Sequence, residues 1–179
     1  MNNTLLTISK RYSCRNYKQD PISEEDLNLI LQAGLFAPTA LNSKLCHIFA
    51  LTNKADVDKL AHEIKLEMNS QGLNKPNDYH CAYHSPMLII VSGPKDYTRR
   101  VEDGSCMLEN MFLAATSLNI GSCWINQLRD TQNAKDVRNV LTSFGIPEDH
   151  LVVGCVSLGY PNDTKVSKDK DSSRIHIVK

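Results

Sequence analysis

Two guanidinium groups, Arg11 and Arg15, flank a hydroxyl at Ser13 in the run Lys10-Arg11-Tyr12-Ser13-Cys14-Arg15. In an extended segment these three side chains point to one face, because side chains alternate with period two. Two planar charged forks and a hydroxyl on one face suit a phosphate. The same spacing also suits a solvated basic turn after a short helix. Thr39, Asn42 and Ser43 form a second polar group, able either to hydrogen-bond a ligand's edge or to cap their own turn. His80, Cys81 and His84 are metal-ligand types. No second ligand pair at zinc spacing lies elsewhere, so no metal is expected and the stretch reads as a loop before a strand. There is no G-x-G-x-x-G, no Walker P-loop and no G-x-S-x-G elbow. A bound phosphate would therefore be held by side chains and not by a glycine cradle.

The elements that must position these groups follow from composition and pattern. A chain of 179 residues with 41% hydrophobic and 22% charged residues suits one domain, 1–179, with a real core. The formal net charge is zero, so nothing global suggests nucleic acid or an anionic membrane as partner. No apolar run approaches the ~20 residues of a membrane span, and Met1-Asn2-Asn3-Thr4 has no signal-peptide character, so a cytoplasmic location is expected. The six cysteines are scattered without a C-x-x-C pair and read as free thiols.

Residues 3–10 can form a short helix leading into the basic run. Ser23 is a candidate N-cap, followed by acids in the first turn and by Leu27, Ile30, Leu31 and Leu35 at helical spacing, with Pro38 as the stop. A strand is expected over His47–Thr52 and an amphipathic helix over Ala55–Ser70. Pro86–Gly93 reads as a strand buried on both faces. Residues 99–118 form the longest helix, apolar around most of its circumference, with Gly104, Ser105, Ala114 and Ala115 allowing close approach by another helix. A strand over Ile120–Ile125, a helix over Thr131–Ser143 and a strand over His150–Leu158 complete the alternation. After a polar stretch over 162–174, Arg174-Ile175-His176-Ile177-Val178 alternates like a strand that needs a sheet edge, its own or a second chain's. Strands alternating with helices around one sheet give an α/β or α+β class.

Five stretches in order resemble the FMN-dependent nitroreductase family. Arg11-Tyr12-Ser13-Cys14-Arg15 with Tyr17 resembles its R-x-S-x-R-x-[FY] motif. Ala37-Pro38-Thr39-Ala40-Leu41-Asn42-Ser43 resembles its A-P-S-x-x-N loop, and Pro86–Val91 its A-P-x-x-I-x-V strand. Asn110-Met111 through Gly121-Ser122-Cys123-Trp124-Ile125 resembles N-M-x-L-A-A leading to G-S-C-W-I. Leu158-Gly159-Tyr160-Pro161 with Lys168-Asp169-Lys170 resembles L-G-Y-P with its trailing basic pair.

The resemblance implies an α+β, three-layer α-β-α fold. Its central sheet is mixed but mainly antiparallel, flanked by helices, with the C-terminal strand exchanged in an obligate homodimer. It implies FMN at the dimer interface, with NADH or NADPH as reductant and a small-molecule acceptor such as a nitroaromatic or a quinone. Arg11, Tyr12, Ser13 and Arg15, with Lys168 and Lys170, would hold the phosphate and ribityl end. Pro38, Thr39, Ala40, Leu41 and Asn42 of the partner would lie against the flavin, and Cys123, Trp124, Ile125 and Asn126 would line its ring system. No side-chain nucleophile or acid–base pair is implied. Lys44-Leu45-Cys46 stands where the family has Q-P-W, Thr39 replaces a serine, and Asn126-Gln127 replaces a glycine. A flavin carrier or sensor, a divergent branch with weak reductase activity, and a dimer with an empty site are the alternative readings.

Overall fold

A computed structural model describes residues 1–162 and 171–179. The chain builds α1 (Asn3–Lys10), α2 (Glu24–Leu35), β1 (His47–Leu51), α3 (Lys54–Ser70), β2 (Met87–Pro94), α4 (Arg100–Ser117), β3 (Gly121–Ile125), α5 (Gln127–Thr131), α6 (Lys135–Ser143) and β4 (His150–Gly159). Short 3-10 turns occupy Ala40–Asn42 and Ser172–Arg174. No helix among the described residues is long and apolar enough to cross a membrane.

Local chemistry starts the helices where the sequence indicates. The Ser23 hydroxyl accepts from the Asp26 amide at 3.1 Å, and Glu24, Glu25 and Asp26 complement the positive helix end. Asn53 caps α3 through the Ala55 amide at 3.0 Å. The side of α3 carrying Val57, Leu60, Ala61, Ile64 and Met68 is buried.

The strands run in the order β1-β2-β4-β3, and every ladder pair is antiparallel. Among the described residues the one parallel pairing is an isolated bridge between Ser13 and Ser122, so the sheet expected to be mixed is antiparallel. Because side chains alternate along a strand, β2 feeds two cores. Leu88 and Ile90 join α3, α5 and α6 on one face. Met87, Ile89 and Val91 join α2 and α4 on the other. The result is the three-layer arrangement, with β2 buried on both faces.

Two expectations about the helices change. Gly104 meets Val153 of β4, where an added Cβ would sit 2.7 Å from a methyl, so this close approach is helix to sheet and not helix to helix. The helix expected over 131–143 starts later, at Lys135 as α6, and a short helix the pattern did not mark, α5, precedes it. The chain bends between them because Gln132 turns inward: its Oε1 accepts from the Val152 amide at 2.6 Å and its Nε2 donates to the Arg129 carbonyl at 2.9 Å. That amide secures β4 where the β2 register skips Val153. Finally, residues 175–178 pair with no strand among the described residues of their own chain, and Ile175, Ile177 and Val178 are exposed.

Candidate functional site

The basic run leaves α1 as extended chain and is laid along the outer edge of β3. The Cys14 amide donates to the Ser122 carbonyl at 2.9 Å, Ser13 bridges Ser122, and Tyr17 bridges Pro161. Two glycines make room for this approach. A Cβ on Gly121 would lie 2.8 Å from Cys14 Sγ, and one on Gly159 would lie 2.9 Å from the Tyr17 ring. Cys14 and Tyr17 are buried as anchors. The Tyr17 hydroxyl donates to the Cys14 carbonyl at 2.8 Å and shares a 2.8 Å bond with the Ser157 hydroxyl, and burial pushes its pKa far up.

With the even-numbered neighbour Cys14 inward, Arg11, Ser13 and Arg15 face the other way. All three act on the Cys123 thiol. Burial raises its pKa, while the Arg15 charge, a hydrogen bond from Ser13 and the Arg11 charge oppose that rise. Arg15 is exposed; its Nε donates to the Tyr83 hydroxyl at 3.3 Å, and its guanidinium carbon lies 5.8 Å from the Tyr83 ring centre. Arg11 lies beside α4, 3.9 Å from Glu109 Oε1 and 6.0 Å from the Phe112 ring centre. Tyr12 is half-buried. The cluster therefore offers two charged forks and a hydroxyl at the edge of the sheet, the donor set for a doubly charged oxyanion.

The end of β3 divides its roles. Trp124 stacks on Phe112 at 6.1 Å, and its Nε1 donates to Asn126 Oδ1 at 2.6 Å. Ile125 is committed to the core beneath α3 and pairs with Cys155 of β4. Asn126 is exposed.

The loop over 38–42 is held elsewhere. Asp103, buried in the first turn of α4, accepts from the Ala40 amide at 3.0 Å and from the Tyr97 hydroxyl at 2.6 Å. Ser43 shares a 2.8 Å bond with Tyr97. Pro38 is exposed and Thr39 half-buried, and Leu41 and Asn42 stand in the left-handed region with φ of 54°, both exposed. Asp103 precedes Glu109 and Phe112, the neighbours of Arg11, by about 9–13 Å along α4 at 1.5 Å per residue. One chain thus keeps its loop and its basic cluster apart. Lys168 and Lys170 lie outside the described residues.

Sequence reasoning missed Tyr83, Tyr97 and Asp103. Tyr83 sits in a turn with no pattern of its own, and Asp103 looks like any acid in a helix's first turn. Only the Asp103 burial distinguishes it, and burial comes from packing.

Comparison with known proteins gives one family. The family model described as the nitroreductase family matches residues 8–160. A crystal structure of a nitroreductase with bound FMN from Bacteroides fragilis is 40% identical, covers all of both chains and superimposes with a TM-score of 0.95. One from Desulfitobacterium hafniense, also with bound FMN, is 26% identical over all of both chains, with a TM-score of 0.89. A protein of Archaeoglobus fulgidus, provisionally named as an NADH dehydrogenase/NAD(P)H nitroreductase, is 33% identical over 100% of this chain and 99% of its own.

Proposed function

The chain belongs to the nitroreductase family, and from that premise we propose that it is an FMN-dependent oxidoreductase using NADH or NADPH to reduce a small acceptor such as a nitroaromatic or a quinone. The observation that carries this reading is the extended basic run laid on the edge strand β3, with Ser13 beside Ser122 and Arg11 and Arg15 flanking it on the same face. Its chemistry fits the phosphate of FMN, and relatives of the same length carry FMN in their crystal structures.

When bound, FMN supplies a ping-pong exchange of hydride between the nicotinamide cofactor and the acceptor. The chain's own residues bind and orient. Arg11 and Arg15 neutralise the phosphate, and Ser13 adds a hydroxyl donor. Tyr83 fixes the Arg15 fork, so less side-chain freedom is lost on binding. Trp124 and Asn126 hold the end of β3 rigid through their mutual bond. Asp103 pins the 38–42 loop in a fixed shape with Leu41 and Asn42 outward.

The working unit in this reading is a homodimer whose sites each take the basic cluster of one chain and the 38–42 loop of the other. Three features support it. The loop and cluster are separated within one chain. α1 buries none of its residues while exposing Leu5, Leu6 and Ile8. Phe36 and the C-terminal Ile175, Ile177 and Val178 are also exposed.

The test is absorbance of the purified protein at the flavin bands, followed by FMN titration of stripped protein. Steady-state oxidation of NADH and NADPH with a quinone or nitroarene comes next. Yellow protein with turnover is expected. FMN binding without turnover would make it a carrier, and no FMN binding would overturn the reading.

A further inference from the structure

The fold assembles a ligand set that the chain order hides. Cys81 is buried in the core beneath α3, which separates it from its two histidine neighbours. In its place Asp58 of α3 comes to His80 and His84. One potential ligand atom from each of the three lies within 4.8 Å of the others. We propose that Asp58, His80 and His84 form a binding site for a divalent transition metal of the zinc class, joining α3 to the turn that carries Tyr83.

The geometry is close to what such an ion needs. Zinc–ligand bonds of about 2.0–2.1 Å put tetrahedral ligand atoms roughly 3.3–3.4 Å apart. His80 Nε2 and Asp58 Oδ1 already stand 3.1 Å apart. Two imidazoles sharing one ion at angles of roughly 90–109° have ring centres roughly 4.5–5 Å apart, by the same bond lengths. The His80 and His84 centres are 4.4 Å apart, with planes inclined at 36°, a wedge and not a flat stack. The three groups open onto a surface cavity of about 250 Å³ also lined by His62, which leaves room for water in a fourth position.

Two features mark the starting state. The Lys54 ammonium lies 2.6 Å from Asp58 Oδ1, occupying the carboxylate as a cation in the ion's place. The His84 amide donates to His80 Nδ1 at 3.1 Å, so the ring proton sits on Nε2 and points at Asp58. An ion at Nε2 displaces that proton to Nδ1, keeping the ring neutral, and opens the amide bond. The freed turn then lets the His84 ring close the remaining distance. The site needs no flavin and stands whether or not the oxidoreductase reading holds.

The experiment is titration of chelator-treated protein with Co²⁺, read by its visible d–d bands, and with Zn²⁺, read by calorimetry and melting temperature. Wild type should bind one ion per chain and melt higher with zinc. His84 is exposed, so His84→Gln should fold as wild type by circular dichroism. It should lose the cobalt bands and weaken zinc at least about tenfold, since changes even to groups behind the ligands alter affinity roughly 10–100-fold. Asp58→Asn should do likewise, while Lys54→Met should tighten binding by removing the competing ammonium. His47→Gln, in the separate pair that His47 makes with His150, should change nothing. Absence of binding in wild type, or equal binding in His84→Gln, would overturn the site.

Discussion

Arg15 is the residue on which the proposed phosphate site depends most, because it is the exposed fork of the pair and is already aimed by Tyr83. A hydrogen bond to an ionised partner contributes about 1.5–3 kcal/mol. Arg15→Ala should therefore weaken FMN binding roughly tenfold or more. Arg15→Lys should restore only part, since a point charge cannot reproduce the fork. An unchanged dissociation constant in Arg15→Ala would remove the residue from the site. His150 gives a pH prediction at the same scale. It is buried, with Nδ1 bonded to the Ser92 hydroxyl at 3.1 Å, and burial first and the nearby His47 second lower its pKa below the ordinary 6.5. The unfolded chain thus takes up this proton before the folded one. Stability is fully present above pH ~6.5 and falls as pH drops from there through the folded value. Melting temperature should decline between about pH 7.5 and 5.5, and His150→Gln should flatten part of that decline. An equal slope in both proteins would show that His150 is not the group responsible.

At the scale of elements, α4 is the spine, packing on β4 through one side and on α2 through another. A methyl on Gly104 would stand 2.7 Å from Val153, whose branched side chain cannot swing away. Gly34 of α2 faces the flexible end of Met111 and Ile48 Cδ1 at 3.0–3.1 Å. Gly104→Ala should therefore cost about 1–3 kcal/mol of overpacking, less up to ~1 kcal/mol regained in helix propensity. Gly34→Ala should cost less or be neutral. Thermal melts should order the two that way, and a Val153→Ala background should soften the first. The elements were largely legible in the sequence because their signals are local: the Ser23 cap, the one-sided face of α3 and the unbroken apolar run of β2. What was not legible is tertiary. The break between α5 and α6 exists because Gln132 finds Val152 of β4, an element distant in sequence. The order β1-β2-β4-β3, which sets the last strand between two earlier ones, and the antiparallel direction of every ladder are tertiary features that no periodicity encodes. At the candidate site, the spacing of Arg11, Ser13 and Arg15 was legible as one face of an extended run, and Ser13 does pair with Ser122 of β3. Tyr83 and Asp103 became recognisable only through what they touch.

For the whole molecule, the apolar surface is distributed in a way one chain does not resolve. α1 contributes no buried residue, Phe36 and Leu41 stand outward beside the pinned loop, and the last residues carry Ile175, Ile177 and Val178 into solvent. Alternating apolar residues without a sheet edge are costly in isolation and favourable if a second chain supplies the edge. In the proposed site the same second chain supplies the loop, which within one chain is pinned at the first turn of α4 while Arg11 lies beside Glu109 and Phe112 further along that helix. In the proposed homodimer, an interface covering α1, the 36–42 region and the tail is expected to fall in the obligate class, roughly 2,000 Å² or more. Such a dimer gains stability by mass action, so its melting temperature should rise with protein concentration. Deleting residues 174–179 removes the exposed tail without touching Arg11, Ser13 or Arg15. If the tail only trails in solvent, FMN affinity and sedimentation should be unaffected. If it seals the interface, the truncated chain should dissociate at concentrations where wild type remains dimeric, and FMN affinity should fall with it. A folded wild-type monomer that binds FMN at nanomolar concentration would refute the two-chain site while leaving the phosphate cluster intact, because Arg15→Ala would still weaken FMN in that monomer.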